Sequence, residues 1–206
     1  MSLEGWLIFA GFWALFVTTP GPNAVNCVST AMTLGFRRAM PCVAAILCQA
    51  SIFLTLSAAG IGALLVASPR LFAALKVAGA LFLIWMGVRG WLLSRRAVEP
   101  AEVDPSRVFG RAFLIATINA KSVAGYLAAF SQFVEPGVPI WQQMQVIAPT
   151  ALTLTALSYT GYVALGAGLG RMALGAIMHV WVRRTLAACF VIYGTLLGAS
   201  ALPSRG

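Results

Sequence analysis

The chain has 206 residues, of which 60% are hydrophobic and only 9% charged, with a mean hydropathy of +0.90 and a formal net charge of +9. A water-soluble domain carries about 25% charged residues, so a globule wetted on all sides is excluded and lipid must be the solvent. The basic residues sit in short runs between apolar stretches, with no stripe interleaved with aromatics, which excludes a nucleic-acid surface and fits anchoring to an anionic leaflet.

The N-terminus lacks the Lys/Arg-rich start of a cleaved signal peptide, so Leu3–Thr18 reads as the first membrane helix. It is interrupted by Thr19-Pro20-Gly21-Pro22-Asn23. Two prolines flanking a glycine remove N–H donors and permit unusual φ. From Ala24 to Phe36 the chain reads as helix again, with Asn23 as its N-cap. As one helix, Leu3 to Phe36 would reach about 50 Å at ~1.5 Å per residue, too long for a hydrocarbon core of about 30 Å. A break or re-entrant bend at Pro20-Gly21-Pro22 is therefore expected; the plainer reading is a tight turn between two helices.

Ala39–Ala67 and Leu71–Leu93 supply the second and third spans. The polar stretch from Arg95 to Arg107, with Pro100 and Pro105, then divides the chain. Phe109–Phe133, containing Asn119-Ala120-Lys121, Gln143–Leu169 and Thr185–Leu202 complete the spans. Pro69, Pro136 and Pro139 mark the shorter turns. The fold class expected is all-α: a single polytopic transmembrane transporter domain over 1–206 with about six transmembrane helices. Its halves are 1–95 and 108–206, joined by the loop 96–107.

The halves resemble each other. A shift of 101 positions lays Ser57-Ala58-Ala59-Gly60 on Ser158-Tyr159-Thr160-Gly161, and Thr18-Thr19-Pro20-Gly21 on Asn119-Ala120-Lys121-Ser122. A shift of 108 lays the ten residues from Lys76 on those from Arg184. Three helices per half is an odd number, so the second copy runs opposite to the first: two inverted three-helix repeats with helices 1 and 4 broken, an architecture of many secondary transporters.

Orientation follows from the Lys/Arg asymmetry. With the N-terminus outside, the cytoplasmic side receives Arg37, Arg38, Arg89, Arg95, Arg96, Arg107, Arg111, Arg171, Arg183 and Arg184. The outer side receives Arg70, Lys76 and Arg205. Both termini are thus expected outside.

The two breaks together outline a polar pocket. The half-helix starting near Asn23 offers free N–H groups and a positive dipole end, which suits a carboxylate, and Lys121 adds a full charge. Asn23, Asn26 and Asn119 can accept hydrogen bonds from an amine. An ammonium at membrane depth costs roughly 2.5–3.5 kcal/mol, so Lys121 needs a partner or water; it reads equally as the cap of a helix C-terminus or as snorkelling to the interface. Gln49 and Ser51 read as interhelical glue, Glu135 as a solvated loop residue, and His179 as an interfacial anchor beside Trp181. Cys27, Cys42, Cys48 and Cys189 fall inside apolar segments without a CxxC and read as small buried hydrophobes.

Pro20-Gly21-Pro22-Asn23, followed by Gly35-Phe36-Arg37-Arg38, resembles the signature of the LysE/RhtB family of bacterial amino-acid exporters. Gly60-Ile61-Gly62-Ala63-Leu64-Leu65 through Ser68-Pro69, and Leu75-Lys76 to Gly87, are similar in order and spacing. Asn119-Ala120-Lys121 and Gln132-Phe133-Val134-Glu135-Pro136 stand where the family carries Asn-Pro-Lys and a Gln-Phe-Val/Ile-x-Pro turn. The resemblance covers nearly the whole chain. Ala120 departs from it, which implies a less sharply broken fourth helix, and alanines replace glycines around Ala39 to Gln49.

The resemblance implies export of amino acids or close derivatives across the bacterial inner membrane, driven by the proton gradient or the membrane potential, with no cofactor and no enzymatic step. No GxxxxGK[ST] is present, which excludes direct ATP use through that motif. None of Glu4, Glu99, Glu102, Asp104 and Glu135 lies in the middle of an apolar run, so neutral amino acids are expected over cationic ones. The alternative reading is a metal-ion or small-solute exporter using Cys27, Cys42 and Cys48. Gly161, Gly166, Gly168 and Gly170 permit close helix packing, within the chain or in a homo-oligomer.

Overall fold

The computed structural model describes residues 2–96, 103–135 and 137–201. Glu99, Pro100, Glu102, Pro136 and Arg205 lie outside them. The described residues are helical throughout, in the order α1 (Leu3–Thr18), α2 (Pro22–Ala67), α3 (Pro69–Leu92), α4 (Val108–Ile118), α5 (Ala120–Phe133), α6 (Ile140–Leu169), the short α7 (Arg171–Ile177) and α8 (Val180–Ala201), with one 3-10 turn at Leu93–Arg95.

Among the described residues, four stretches are long and apolar enough to cross a membrane: Pro22–Gly60, Ala73–Arg95, Ile140–Leu169 and Val180–Ala199. Leu3–Thr18 and Val108–Ile118 are apolar but shorter. The difference from six uniform spans has a local cause, because the two proline- and asparagine-marked breaks divide the helices that would otherwise be the first and fourth.

The first break differs in detail from expectation. The helix restarts at Pro22, where a fixed φ and absent N–H suit a first helical position. The Val25 N–H donates to the Gly21 carbonyl at 3.0 Å. Asn23 is therefore not the N-cap but lies inside the first turn, its side chain buried. The second break is complete despite Ala120. Asn119 takes extended φ/ψ of −68° and 108°, and its Oδ1 accepts the Lys121 N–H at 3.1 Å. An asparagine cap stops one helix and starts the next without a proline.

Helix α2 continues through what reads in the sequence as a gap before the second span, with a kink at Gly35, where φ is 77° and ψ 172°. That positive φ is open to glycine and strained for other residues, which explains the glycine before Arg37 and Arg38.

Helix α2 packs chiefly on α6, α3 on α8, α4 on α2 and α5 on α3, with α1 against α6. Phe9, Phe12, Trp13 and Phe16 bury α1 against Tyr126, Phe133 and Tyr193. Trp6 and Trp13 donate their indole N–H groups to Thr150 and Thr155 of α6 at 3.0 and 3.1 Å. In lipid such bonds and close packing replace the hydrophobic drive between helices. A Cβ on Gly166 would stand 2.6 Å from the Val28 carbonyl oxygen. Gly166→Val is expected to separate α2 from α6 and cut the yield of folded, detergent-soluble protein by several-fold, read by size-exclusion chromatography, while Gly168→Val, facing open space, leaves it unchanged. Of the four glycines expected to pack closely, Gly161, Gly168 and Gly170 meet nothing within the chain.

Ser51 is not interhelical glue: its hydroxyl is exposed and donates to Leu47 of its own helix at 2.9 Å. Gln143 ties down the turn before α6, accepting the Glu135 N–H at 2.9 Å and donating to the Glu135 and Val138 carbonyls at 3.1 and 2.9 Å. Outside the spans, the Asp104 carboxylate receives the N–H and O–H of Ser106 at 2.9 and 2.7 Å and lies 3.6 Å from Arg107. The Ser106 hydrogen bonds, more than Arg107, hold its carboxyl below the usual range.

Candidate functional site

The end of α1 is the centre of the site. A helix that stops at membrane depth leaves its last carbonyls without intrahelical donors, and lipid cannot supply any. Here the opposite half of the chain supplies them. Lys121 of α5 donates from Nζ to the Phe16 carbonyl at 2.6 Å and to the Thr19 carbonyl at 2.8 Å. Ser158 of α6 donates to the Val17 carbonyl at 3.2 Å, and the Tyr162 hydroxyl donates to the Thr18 carbonyl. Leu15 is served by the N–H and hydroxyl of Thr19 at 3.0 and 2.7 Å.

Of the two readings of Lys121, capping is what the geometry displays, but of a helix from the other half. The ammonium sits on the negative end of the α1 dipole, with Nζ 4.9 Å from the centroid of the Phe16 ring. Two of its three N–H groups are engaged, which leaves one. The breaks touch: a Cβ on Gly21 would lie 4.0 Å from Lys121 Cδ.

Two cavities adjoin this junction. One, of about 310 Å³, is lined by Pro20, Gly21, Pro22, Asn119 and Lys121, with Trp85, Arg89 and Arg183 among its walls. The other, of about 690 Å³, shares Pro20, Gly21, Pro22, Asn119 and Arg183 and reaches Asn26. Both volumes fall in the ~300–1,000 Å³ range of small-molecule sites. The structure thus gathers Pro20, Gly21, Pro22, Asn119 and Lys121 on one cavity and Asn26 on its neighbour. Asn23 lines neither and is packed inside. Among the described residues, neither cavity wall contains a carboxylate.

The Oδ1 atoms of Asn23 and Asn26 and the Nε2 of Gln49 are buried without a hydrogen-bond partner. Asn26 Nδ2 lies 3.6 Å from Cys42 Sγ. Unpaired buried polar groups cost about 1–3 kcal/mol each, and of the three residues Asn26 lines a cavity, where a ligand or water can meet it. The first turn of α2 adds the N–H groups of Asn23 and Ala24, which have no carbonyl within the helix to bond.

Two residues were missed as site candidates. Arg183 reads in sequence as a topology-setting charge, yet it lines both cavities. Its Nη1 donates to the Ser94 and Arg96 carbonyls at 3.0 and 2.9 Å. Arg89 lines the smaller cavity, its guanidinium 5.1 Å from the Trp85 ring. A signal was available, since Arg89 stands inside an apolar run, but its place four residues after Trp85 gains meaning only from the packing of α3 on α8. The three cysteines do not converge on one point: Cys27 and Cys42 are buried and hydrogen-bonded to each other, Cys48 is exposed, and no group of three or more His, Cys, Asp or Glu gathers among the described residues.

Broken helices facing a cavity within a helical membrane domain are an architecture of many membrane transporters, and comparison with known proteins agrees with that class. A family model described as LysE type translocator matches residues 14–200. The chain belongs to that family. It is similar to a membrane protein of Vibrio cholerae, at 29% identity over 97% of this chain and 99% of the relative. A homoserine/homoserine lactone efflux protein of Salmonella typhimurium is 27% identical over 97% of this chain and 98% of its own length. A leucine efflux protein of Enterobacter is 24% identical over 78% and 77%. No solved structure matches significantly.

Proposed function

We propose that this protein exports neutral amino acids or close derivatives from the cytoplasm, using the proton gradient or the membrane potential. The observation that carries the reading is the cavity where the two breaks meet, rich in cationic and amide groups and, among the described residues, without a carboxylate in its walls. The remaining N–H of Lys121, the guanidinium groups of Arg183 and Arg89 and the start of α2 form a subsite for a substrate carboxylate. Asn26 and Asn119 present oxygens to its amine. A cationic side chain would meet only like charges, which disfavours lysine and arginine.

The element order supports two inverted halves: a broken first helix, a long second and a third, joined by the loop 96–107. In this reading the six crossings place both termini outside. The cavities then open toward the arginine-rich cytoplasmic side, as Arg89 and Arg183 in their walls indicate. A single charge moving through 100 mV supplies about 2.3 kcal/mol. Relatives named for efflux of homoserine, homoserine lactone and leucine favour the same substrate class.

The test is release of a mixed panel of labelled amino acids from cells overexpressing the chain, compared with Pro20→Ala. Faster release of neutral amino acids by the native chain, lost in the inserted variant, is expected. Release of lysine or arginine in preference, or of no amino acid at all, overturns the substrate assignment. Metal sensitivity that follows Cys27, Cys42 and Cys48 would point instead to the alternative exporter.

A further inference from the structure

Helices α3 and α8 leave an apolar groove of about 370 Å³ on their outer face, walled by Val88, Trp91 and Leu92 on one side and Ala188, Val191 and Ile192 on the other. It is distinct from the cavities at the breaks, sharing Ala187 as a wall with the smaller of them. The helices cross tightly beneath it, since a Cβ on Gly87 would stand 2.6 Å from the Ala187 carbonyl oxygen. Val88, Trp91, Leu92 and Ile192 are exposed, as suits surface facing acyl chains.

One end of the groove is cationic. Residues 184, 188, 191 and 192 follow helical spacing along one stripe of α8, so the stripe that walls the groove ends in Arg184. Its guanidinium lies 4.9 Å from the centroid of the groove residue Trp91 and 6.0 Å from that of Trp181. Arg184 Nε donates to Ser94 Oγ at 3.2 Å. Both Nη groups have no partner among the described residues, while Arg95 and Arg96 stand exposed at the adjoining end of α3. An arginine near two indoles, fixed through Nε and with its outer nitrogens unpaired, is prepared for bidentate contact with a phosphate.

We propose that this groove is a site for one anionic phospholipid, with an acyl chain along the α3–α8 groove and the phosphate on Arg184. Charge selects this occupant. A second copy packed face to face here would bring two sets of Arg95, Arg96 and Arg184 together. The acidic groups among the described residues, Glu4, Asp104 and Glu135, lie on other elements, and Asp104 is engaged by Ser106 and Arg107. Basic clefts between membrane helices on the side richer in Lys and Arg take anionic headgroups for the same reason.

The test is native mass spectrometry of the full chain in detergent, titrated with dioleoyl phosphatidylglycerol and dioleoyl phosphatidylcholine. Glycerophosphoglycerol and inorganic phosphate serve as chain-free competitors. The native protein is expected to prefer the anionic lipid about tenfold, the worth of one charge-assisted bond. Arg184→Gln removes the preference, Ala188→Trp weakens both lipids alike by filling the groove, and Arg171→Gln changes neither. Arg184→Lys, which keeps the charge but not the planar fork, keeps part of the preference and serves if the glutamine variant fails to fold. A preference that survives Arg184→Gln, lipid binding indifferent to Ala188→Trp, full displacement by a chain-free competitor, or a dimer that Ala188→Trp dissolves would each overturn the assignment.

Discussion

Replacing Lys121 by Met is expected to abolish export and also to lower the thermal midpoint of the purified protein. The two effects share a cause. Without the ammonium, the Phe16 and Thr19 carbonyls lose their donors where no water or lipid replaces them, at about 1–3 kcal/mol for each group left unpaired. Ser158 and Tyr162 still hold Val17 and Thr18, so α1 persists, but its end is freed from α5 and the adjoining cavity loses its shape. Lys121→Arg keeps a cation on the α1 dipole and should recover most of the stability. Thermal unfolding in detergent and release assays on the same preparations separate the roles. A stable, fully active methionine variant would show that Lys121 neither caps nor binds.

Arg183→Gln should behave differently, raising the half-saturating substrate concentration about ten- to a hundredfold with little change in stability. An ionic hydrogen bond to a carboxylate is worth ~1.5–3 kcal/mol, and each 1.4 kcal/mol is a factor of ten. Of the two carbonyls that Arg183 serves just past the end of α3, that of Arg96 is exposed to water and only that of buried Ser94 loses a donor, so the stability cost is confined to one group. The measurement is counterflow in proteoliposomes with leucine and with leucinamide, which lacks the carboxylate. The native chain should favour leucine, and the variant should lose that discrimination. Equal transport of the two by the native protein would remove the carboxylate from the recognition scheme and Arg183 with it.

Much of this molecule is legible from one dimension. Low charge and long apolar runs require a helical membrane protein, because a bilayer forces every backbone group to bond within its own helix. Pro20-Gly21-Pro22 and Asn119 mark the breaks because missing N–H groups, glycine freedom and asparagine capping act locally, over three or four residues. Even the error at Asn23 is one of register within a correctly placed break.

Other features depend on distance through the fold. Lys121 and Phe16 are 105 positions apart in the chain, so no local rule says whose carbonyls the ammonium serves. Arg183 and Arg184 are adjacent in sequence, yet one turns into the cavities and the other outward near two indoles. Neighbours on a helix differ by about 100° in direction, and only the packing of α3 on α8 decides which direction is inside. Composition and local pattern were enough for the helices, their breaks and their solvent. The partners of each charge follow from which helix faces which, a matter of close packing between segments distant in the chain.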